Sequence, residues 1–285
     1  MQRFLCRSTN NPGRDPSHMR ALRQTSLNGP ADLRLVTDAP TPSPGPGEVL
    51  IRVTAAGVNF ADISQARGTF AHGPRPPYLA GLEAAGEVTA TGDGVTGLAA
   101  GAHVVGTNVT GLGAFAGAMV LPAAAALPVP AGWSDEQALG LAVNHPTALA
   151  ALRPLGGLTA GQTVLIHAAA GATGQAAVTM AKHYGATVIA TASPEKHALL
   201  RAADHVLDAR SADIAAEVLR LTGGAGADLV LESAAAPPSR RAWRRRSGSP
   251  AGSWSSAPPA ATRRSPTGTW STVTRSMSSA STSAS

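Results

Sequence analysis

The stretch QTVLIHAAAGATGQAAVTMAKHYGATVIATA, residues 162–192, constrains the fold more than any other part of the chain. An apolar strand turns through small residues into a helical pattern that stops at Gly185, and a second apolar strand follows. Two buried strands joined by a helix run parallel, because the return path is a crossover and not a hairpin. The alternation continues downstream. SPEKHALLRAA (193–203) has Ser193 as N-cap and Pro194 at the first helical position. DHVLDA is a third short strand, SADIAAEVLRLTGG a third helix stopped by glycine, and ADLVLES a fourth strand. Apolar strands alternating with helices predict a parallel sheet covered on both faces.

Upstream the texture is different. MRALRQTSLNGPADLRLVT (19–37) reads as paired strands around an Asn-Gly-Pro turn. A Pro/Gly-rich connection leads to VLIRVTAAGVNFAD, which alternates with period two into a turn. Short β-type runs split by glycine continue to residue 107, as in a barrel or sandwich. SDEQALGLAVNHPTALAALRPLGGL (134–158) then turns helical, with Ser134 and Gln137 placed for a capping box. The expected organisation is an α/β chain: an extension over 1–18, a β-rich domain over 19–140, an incomplete parallel-sheet domain over 141–233, and a tail over 234–285.

The charge distribution bears on partners. The net charge is +6, yet residues 234–285 hold eight arginines and no acid, and residues 1–18 hold three arginines and one aspartate. The body between them has 12 basic and 16 acidic residues, so the basicity is confined to the ends and does not point to nucleic acid. Cys6 is the single cysteine, which excludes an internal disulfide and a cysteine-built zinc site. No apolar run is long enough to span a bilayer, and the first residues lack the apolar core of a secretory signal. The expected setting is the cytoplasm, away from membranes.

Ala169-Ala170-Gly171-Ala172-Thr173-Gly174 sits between a strand and a helix, as an A-x-G-x-x-G form of the dinucleotide fingerprint does. Gly171 would let the backbone approach a pyrophosphate, Gly174 would let helix and strand pack closely, and the free N–H groups of the new helix would face the phosphates. The second strand ends Thr191-Ala192-Ser193 without a carboxylate to repel a 2′-phosphate, and Lys196 follows. The expected cofactor is NADPH, with Ser193 and Lys196 near its 2′-phosphate.

PGPGEVLIRVTAAGVNFAD, GLEAAGEV, VLIHAAAGATGQAAVTMAKHYGATVIATASPEK and ADHVLD together resemble the medium-chain dehydrogenase/reductases, specifically their zinc-independent quinone oxidoreductase branch. The resemblance runs from about Met19 to Ser233. It implies a GroES-like domain followed by a Rossmann domain, a homodimeric intact form, and hydride transfer from NADPH to a quinone or another α,β-unsaturated carbonyl. Zinc alcohol dehydrogenases have a cysteine where this chain has Asn59 and a histidine where it has Leu82. By resemblance Asn59 lies near the nicotinamide, Asp62 on the same turn, and Thr147 beside the cofactor. A tyrosine common in the substrate pocket is Phe70 here, and one often beside the 2′-phosphate is Ala209. His145 and His167 are read as structural.

After VLES the family would continue with a glycine turn, a helix and further strands, whereas this chain gives Pro, Ser, Thr and Arg. Residues from about 234 onward are expected to be translated out of frame. Read one base earlier, SWSSAPPAAT (253–262) is compatible, for permitted codon choices, with four apolar residues and a glycine turn, the pattern the family would have there. The sheet would then keep four strands and an exposed edge, and Met19 would be the better start. Two alternatives accompany the reductase reading: an inactive truncated copy, or a protein that binds a partner or nucleic acid through the basic tail. Within the enzyme class, an enoyl reductase or an alcohol dehydrogenase would differ in pocket residues.

Overall fold

The computed structural model describes residues 17–108, 110–210 and 213–232, and the backbone of 272–275. The chain divides into two compact units that change over between Val143 and Asn144. Residues 1–16 of the expected extension 1–18, and the tail read as out of frame apart from the backbone of 272–275, lie outside the described residues.

The first unit is β-rich. In order it contains β1 (His18–Gln24), β2 (Leu33–Pro40), β3 (Glu48–Gly57), α1 (Phe60–Ala66), β4 (Tyr78–Leu79), β5 (Glu83–Thr91), β6 (His103–Thr107), β7 (Ala118–Pro122), β8 (Leu127–Pro128) and α2 (Asp135–Ala138). An antiparallel sheet runs β7-β3-β5-β6-β8, and a smaller one β2-β1-β4. Period-two alternation decides which face is buried. Val49, Ile51 and Val53 of β3 point inward onto Val88, Val104, Met119 and Leu121, whereas Arg52 points outward and pairs with Glu87 across the strands.

The second unit holds α3 (Asn144–Ala150), β9 (Thr163–Ile166), α4 (Ala172–His183), β10 (Thr187–Ala192), β11 (His205–Asp208), α5 (Ile214–Leu221), β12 (Leu229–Glu232) and β13 (Thr272–Arg275). The strand order is β11-β10-β9-β12-β13, with the first four parallel. Successive β9 residues serve opposite faces. Val164 and Ile166 join α3 and α4 in one cluster, and Leu165 packs with Ile189 and Val218 of α5 in the other. The central strands β9 and β10 are mostly apolar because both faces are covered.

Three local expectations are corrected. The helical stretch over 134–158 is broken: α2 ends before Gly140 (φ 98°), and a π-helical turn carrying Pro154 follows α3. The segment after Ser193 is a 3-10 helix, Pro194–Leu199, and Ser193 makes no cap bond to it. The edge beside β12, expected to be open, is paired antiparallel with β13, where Leu229 faces Arg275 and Glu232 faces Thr272. Among the described residues no helix is long and apolar enough to cross a membrane.

Candidate functional site

In the first unit, β3 ends at Gly57 and the chain turns through Asn59 into α1. Asn59 is the N-cap, and its backbone N–H donates to Asp62 Oδ2 at 2.7 Å, so the third helical residue reaches back to close the turn. The Asn59 side chain, part of the same capping box, also reaches β5. Its Nδ2 donates to Glu83 Oε1 at 3.1 Å, and Glu83 Oε2 accepts the Gly140 N–H at 3.0 Å. Glu83, 2% exposed, is therefore a satisfied buried carboxylate that ties the start of α1 to the loop after α2. Gly57 lies opposite it across β3 and β5, and a Cβ there would stand 2.8 Å from Glu83 Cδ. Only glycine leaves room for the carboxylate.

Asp62 is less well satisfied. Among the described residues its buried Oδ1 has no hydrogen-bond partner. Burial pushes its carboxyl up to about 7, the Asn59 N–H opposes the rise, and the charge of Glu83 adds to it. Such a group can hold or release a proton near neutrality. Tyr78, buried at 9% exposure, has its hydroxyl held above the ordinary range by burial and by Asp62. Val58 and Phe60 flank Asn59 and are 50% and 68% exposed, an apolar rim on this turn. Phe70 lies on the loop after α1, where its N–H donates to the Ser64 carbonyl.

In the second unit, the carboxyl ends of β9, β10 and β12 carry a second group of residues. Gly171 caps α4, whose first helical bond runs from Gln175 N to Gly171 O. The N–H groups of Ala172, Thr173 and Gly174 therefore have no acceptor within the helix. A Cβ on Gly171 would meet only the Ala168 carbonyl, at 3.3 Å, so the backbone there is open to a ligand. A Cβ on Gly174 would lie 2.6 Å from Ala169 Cα, because here α4 crosses the loop directly. Ala169 is buried beneath that crossing. Open amides above and close packing below fit a dinucleotide pyrophosphate. The Thr173 hydroxyl donates to Asn144 Oδ1 at 2.7 Å, which pins α3, the helix bearing Thr147, to the start of α4.

His167, at the end of β9, bonds through Nδ1 to Thr191 Oγ1 at 3.1 Å, and its Nε2 lies 3.9 Å from Glu232 Oε2. Burial holds it below its ordinary value, against the pull of Glu232. At the end of β10, one expectation is overturned. No acid occupies position 193, but Ser193 Oγ donates to Glu195 Oε1 at 2.6 Å, so a carboxylate does stand there. Arg210 Nη2 donates to the same oxygen at 3.2 Å. Lys196 is exposed on the same 3-10 turn.

The structure thus joins Asn59 and Asp62 with Glu83 and Tyr78 in one unit, and Ser193 with Glu195 and Arg210 in the other. Sequence reading missed Tyr78, Glu195 and Arg210 as members of these groups. Arg210 alone left a signal, since it follows the Ala209 position where the related family often has a tyrosine.

A GroES-like alcohol dehydrogenase domain matches residues 45–131, and a zinc-binding dehydrogenase domain matches residues 172–243. Erythronolide synthase EryA2 of Saccharopolyspora erythraea is 44% identical over 191 residues, 66% of this chain, although the chain spans only 5% of that protein's length. Among solved structures, a quinone oxidoreductase of Pseudomonas syringae is 35% identical with a TM-score of 0.68, over 74% of this chain and 65% of that one. Mycobacterial Rv1454c complexed with NADPH is 36% identical with a TM-score of 0.67, over 74% and 66%. The CurK enoyl reductase is 30% identical with a TM-score of 0.66, over 76% and 67%.

The chain belongs to the medium-chain dehydrogenase/reductase superfamily. Its structural neighbours include that family's quinone oxidoreductases. NADPH, the cofactor expected from the loop, is the ligand bound to one of them.

Proposed function

We propose that this chain is a zinc-independent reductase of α,β-unsaturated carbonyl compounds that uses NADPH, with quinones as one substrate class. The observation that carries the reading is the Asn59–Asp62–Glu83 group, which holds a carboxyl poised near neutrality beside a fixed amide. Bound NADPH would supply the hydride that adds to the conjugated system.

The remaining chemistry falls to side chains. Reduction of a conjugated carbonyl leaves negative charge on the carbonyl oxygen and needs one proton to finish. Asp62, in its protonated form, holds that proton near neutral pH and supplies it. Asn59 is fixed as N-cap and stays oriented because Glu83 accepts from its amide. The amides of Ala172, Thr173 and Gly174 receive the pyrophosphate, Ser193 and Lys196 the 2′-phosphate, and Thr147 stands on the helix that Asn144 anchors to the loop. Phe70 contributes apolar surface to the substrate pocket. The donor set does not fit zinc: Asn59 and Leu82 lack thiolate or imidazole, and both oxygens of Glu83 already accept hydrogen bonds.

The partner in this reading is a small molecule, in the cytoplasm, with the intact form a homodimer. The likeness to a polyketide synthase and to the CurK enoyl reductase favours a second substrate class, enoyl thioesters. Steady-state oxidation of NADPH by the purified chain, with benzoquinone, cyclohexenone and a crotonyl thioester in parallel, tests both. Turnover of any of the three supports conjugate reduction, and the order of kcat/KM assigns the class. A chain that binds NADPH yet reduces none of them, and instead oxidises a secondary alcohol, would overturn the proposal.

A further inference from the structure

We infer that Glu195 is an internal stand-in for the cofactor's 2′-phosphate, and that Arg210 is the residue that exchanges it for the phosphate itself. The inference rests on the NADPH reading above and adds to it the device that sets cofactor preference.

Three observations carry it. First, one carboxylate oxygen, Glu195 Oε1, accepts from both Ser193 Oγ at 2.6 Å and Arg210 Nη2 at 3.2 Å. A hydroxyl and a guanidinium converging on one anionic oxygen, with the Lys196 ammonium on the same turn, is a phosphate-binding set. Second, these groups stand beyond the carboxyl end of β10, where a parallel sheet of this type receives the ribose of a dinucleotide. Third, Arg210 is aimed there by its own backbone. The Ala209 N–H bonds the Ala192 carbonyl at 3.0 Å, and the Arg210 N–H is capped by Asp208 Oδ1 at 2.9 Å.

The Arg210–Glu195 pair is exposed on both sides, at 70% and 56% for the two side chains, so it is weak and readily exchanged. A phosphate carries more charge and more acceptor oxygens than a carboxylate, and it can be gripped by both arms of the guanidinium. NADPH therefore displaces Glu195 from Arg210 and Ser193. NADH has no phosphate to do so. Its free 2′-hydroxyl donates instead to Glu195, which gives the chain a residual affinity for NADH and limits its preference for NADPH.

Fluorescence titration of the full chain with NADPH and NADH, and with 2′,5′-ADP against 5′-AMP as fragments lacking the nicotinamide, tests the exchange without any turnover. Arg210→Gln is expected to weaken NADPH and 2′,5′-ADP about tenfold, the loss of one charge-assisted contact, while leaving NADH within about twofold. Glu195→Gln is expected to strengthen NADPH about threefold and to weaken NADH by a similar factor. Circular dichroism of both variants checks that the fold is retained. If the wild-type chain binds NADPH and both variants keep its NADPH-to-NADH ratio, the exchange is overturned and the NADPH reading stands. If the wild-type chain binds neither dinucleotide, both fall.

Discussion

The Asn59 amide donates to Glu83 Oε1 at 3.1 Å, so a residue that opens a helix is held by one that opens a strand 24 positions later. The same carboxylate accepts the Gly140 N–H, and three separate segments meet on one buried charge. Glu83→Ala would strand two donors at once. The expected cost is about 2–6 kcal/mol, since each of the two buried donors left unpaired costs about 1–3 kcal/mol. Glu83→Gln, which keeps an acceptor for Asn59, should cost less. Urea unfolding ranks the two, and equal stability of Glu83→Ala and wild type would show that the clamp holds nothing.

Asp62 gives stability a pH dependence of known sign. Its carboxyl rises from 3.8 to about 7 on folding, so between those values the folded chain keeps a proton that the unfolded chain releases. Stability therefore falls as pH rises from about 4 to about 7 and levels off above that, by about 4 kcal/mol at most. Asp62→Asn should flatten this limb in chemical denaturation. In the reductase reading the kcat of the wild type should fall above about pH 7, and Asp62→Asn should have a lower kcat without that fall.

His167 acts in the opposite direction. Burial depresses its folded value below the ordinary 6.5, so its contribution is present above that value and lost as pH falls through the folded one. Thermal unfolding between pH 7.5 and 5 should show an acid-side loss that His167→Gln reduces, while Thr191 keeps a hydrogen-bonding partner. An unchanged acid limb would place the sensitive group elsewhere.

Two glycines three residues apart should separate binding from folding. Gly174→Ala places a methyl 2.6 Å from the Ala168 carbonyl and Ala169 Cα and should cost about 1–3 kcal/mol of stability. Gly171→Ala meets only one carbonyl at 3.3 Å and should fold nearly as well as wild type. In the NADPH reading the added methyl would crowd the pyrophosphate, so NADPH affinity should drop about tenfold or more. Melting temperature and NADPH titration on the same two variants distinguish the effects.

The sequence by itself determined what depends on neighbours along the chain. The apolar runs at 163–166 and 187–192, with a small-residue turn and helix between them, require a parallel crossover, and the period-two pattern of 48–57 requires a half-buried antiparallel strand. Ser134 with Gln137 formed the expected capping box, since a cap is closed within four residues. Only tertiary structure decided what depends on residues brought together from afar. The raised Asp62 carboxyl needs a buried setting and Glu83, 21 positions on, and neither is coded in the turn Asn59 begins. Glu195 reads as an ordinary first-turn acid until the 3-10 helix directs it to Ser193 and to Arg210, 15 residues later. Periodicity records burial and direction. The charge state and partner of a side chain are set by the dielectric and donors around it, and those are supplied by the folded chain.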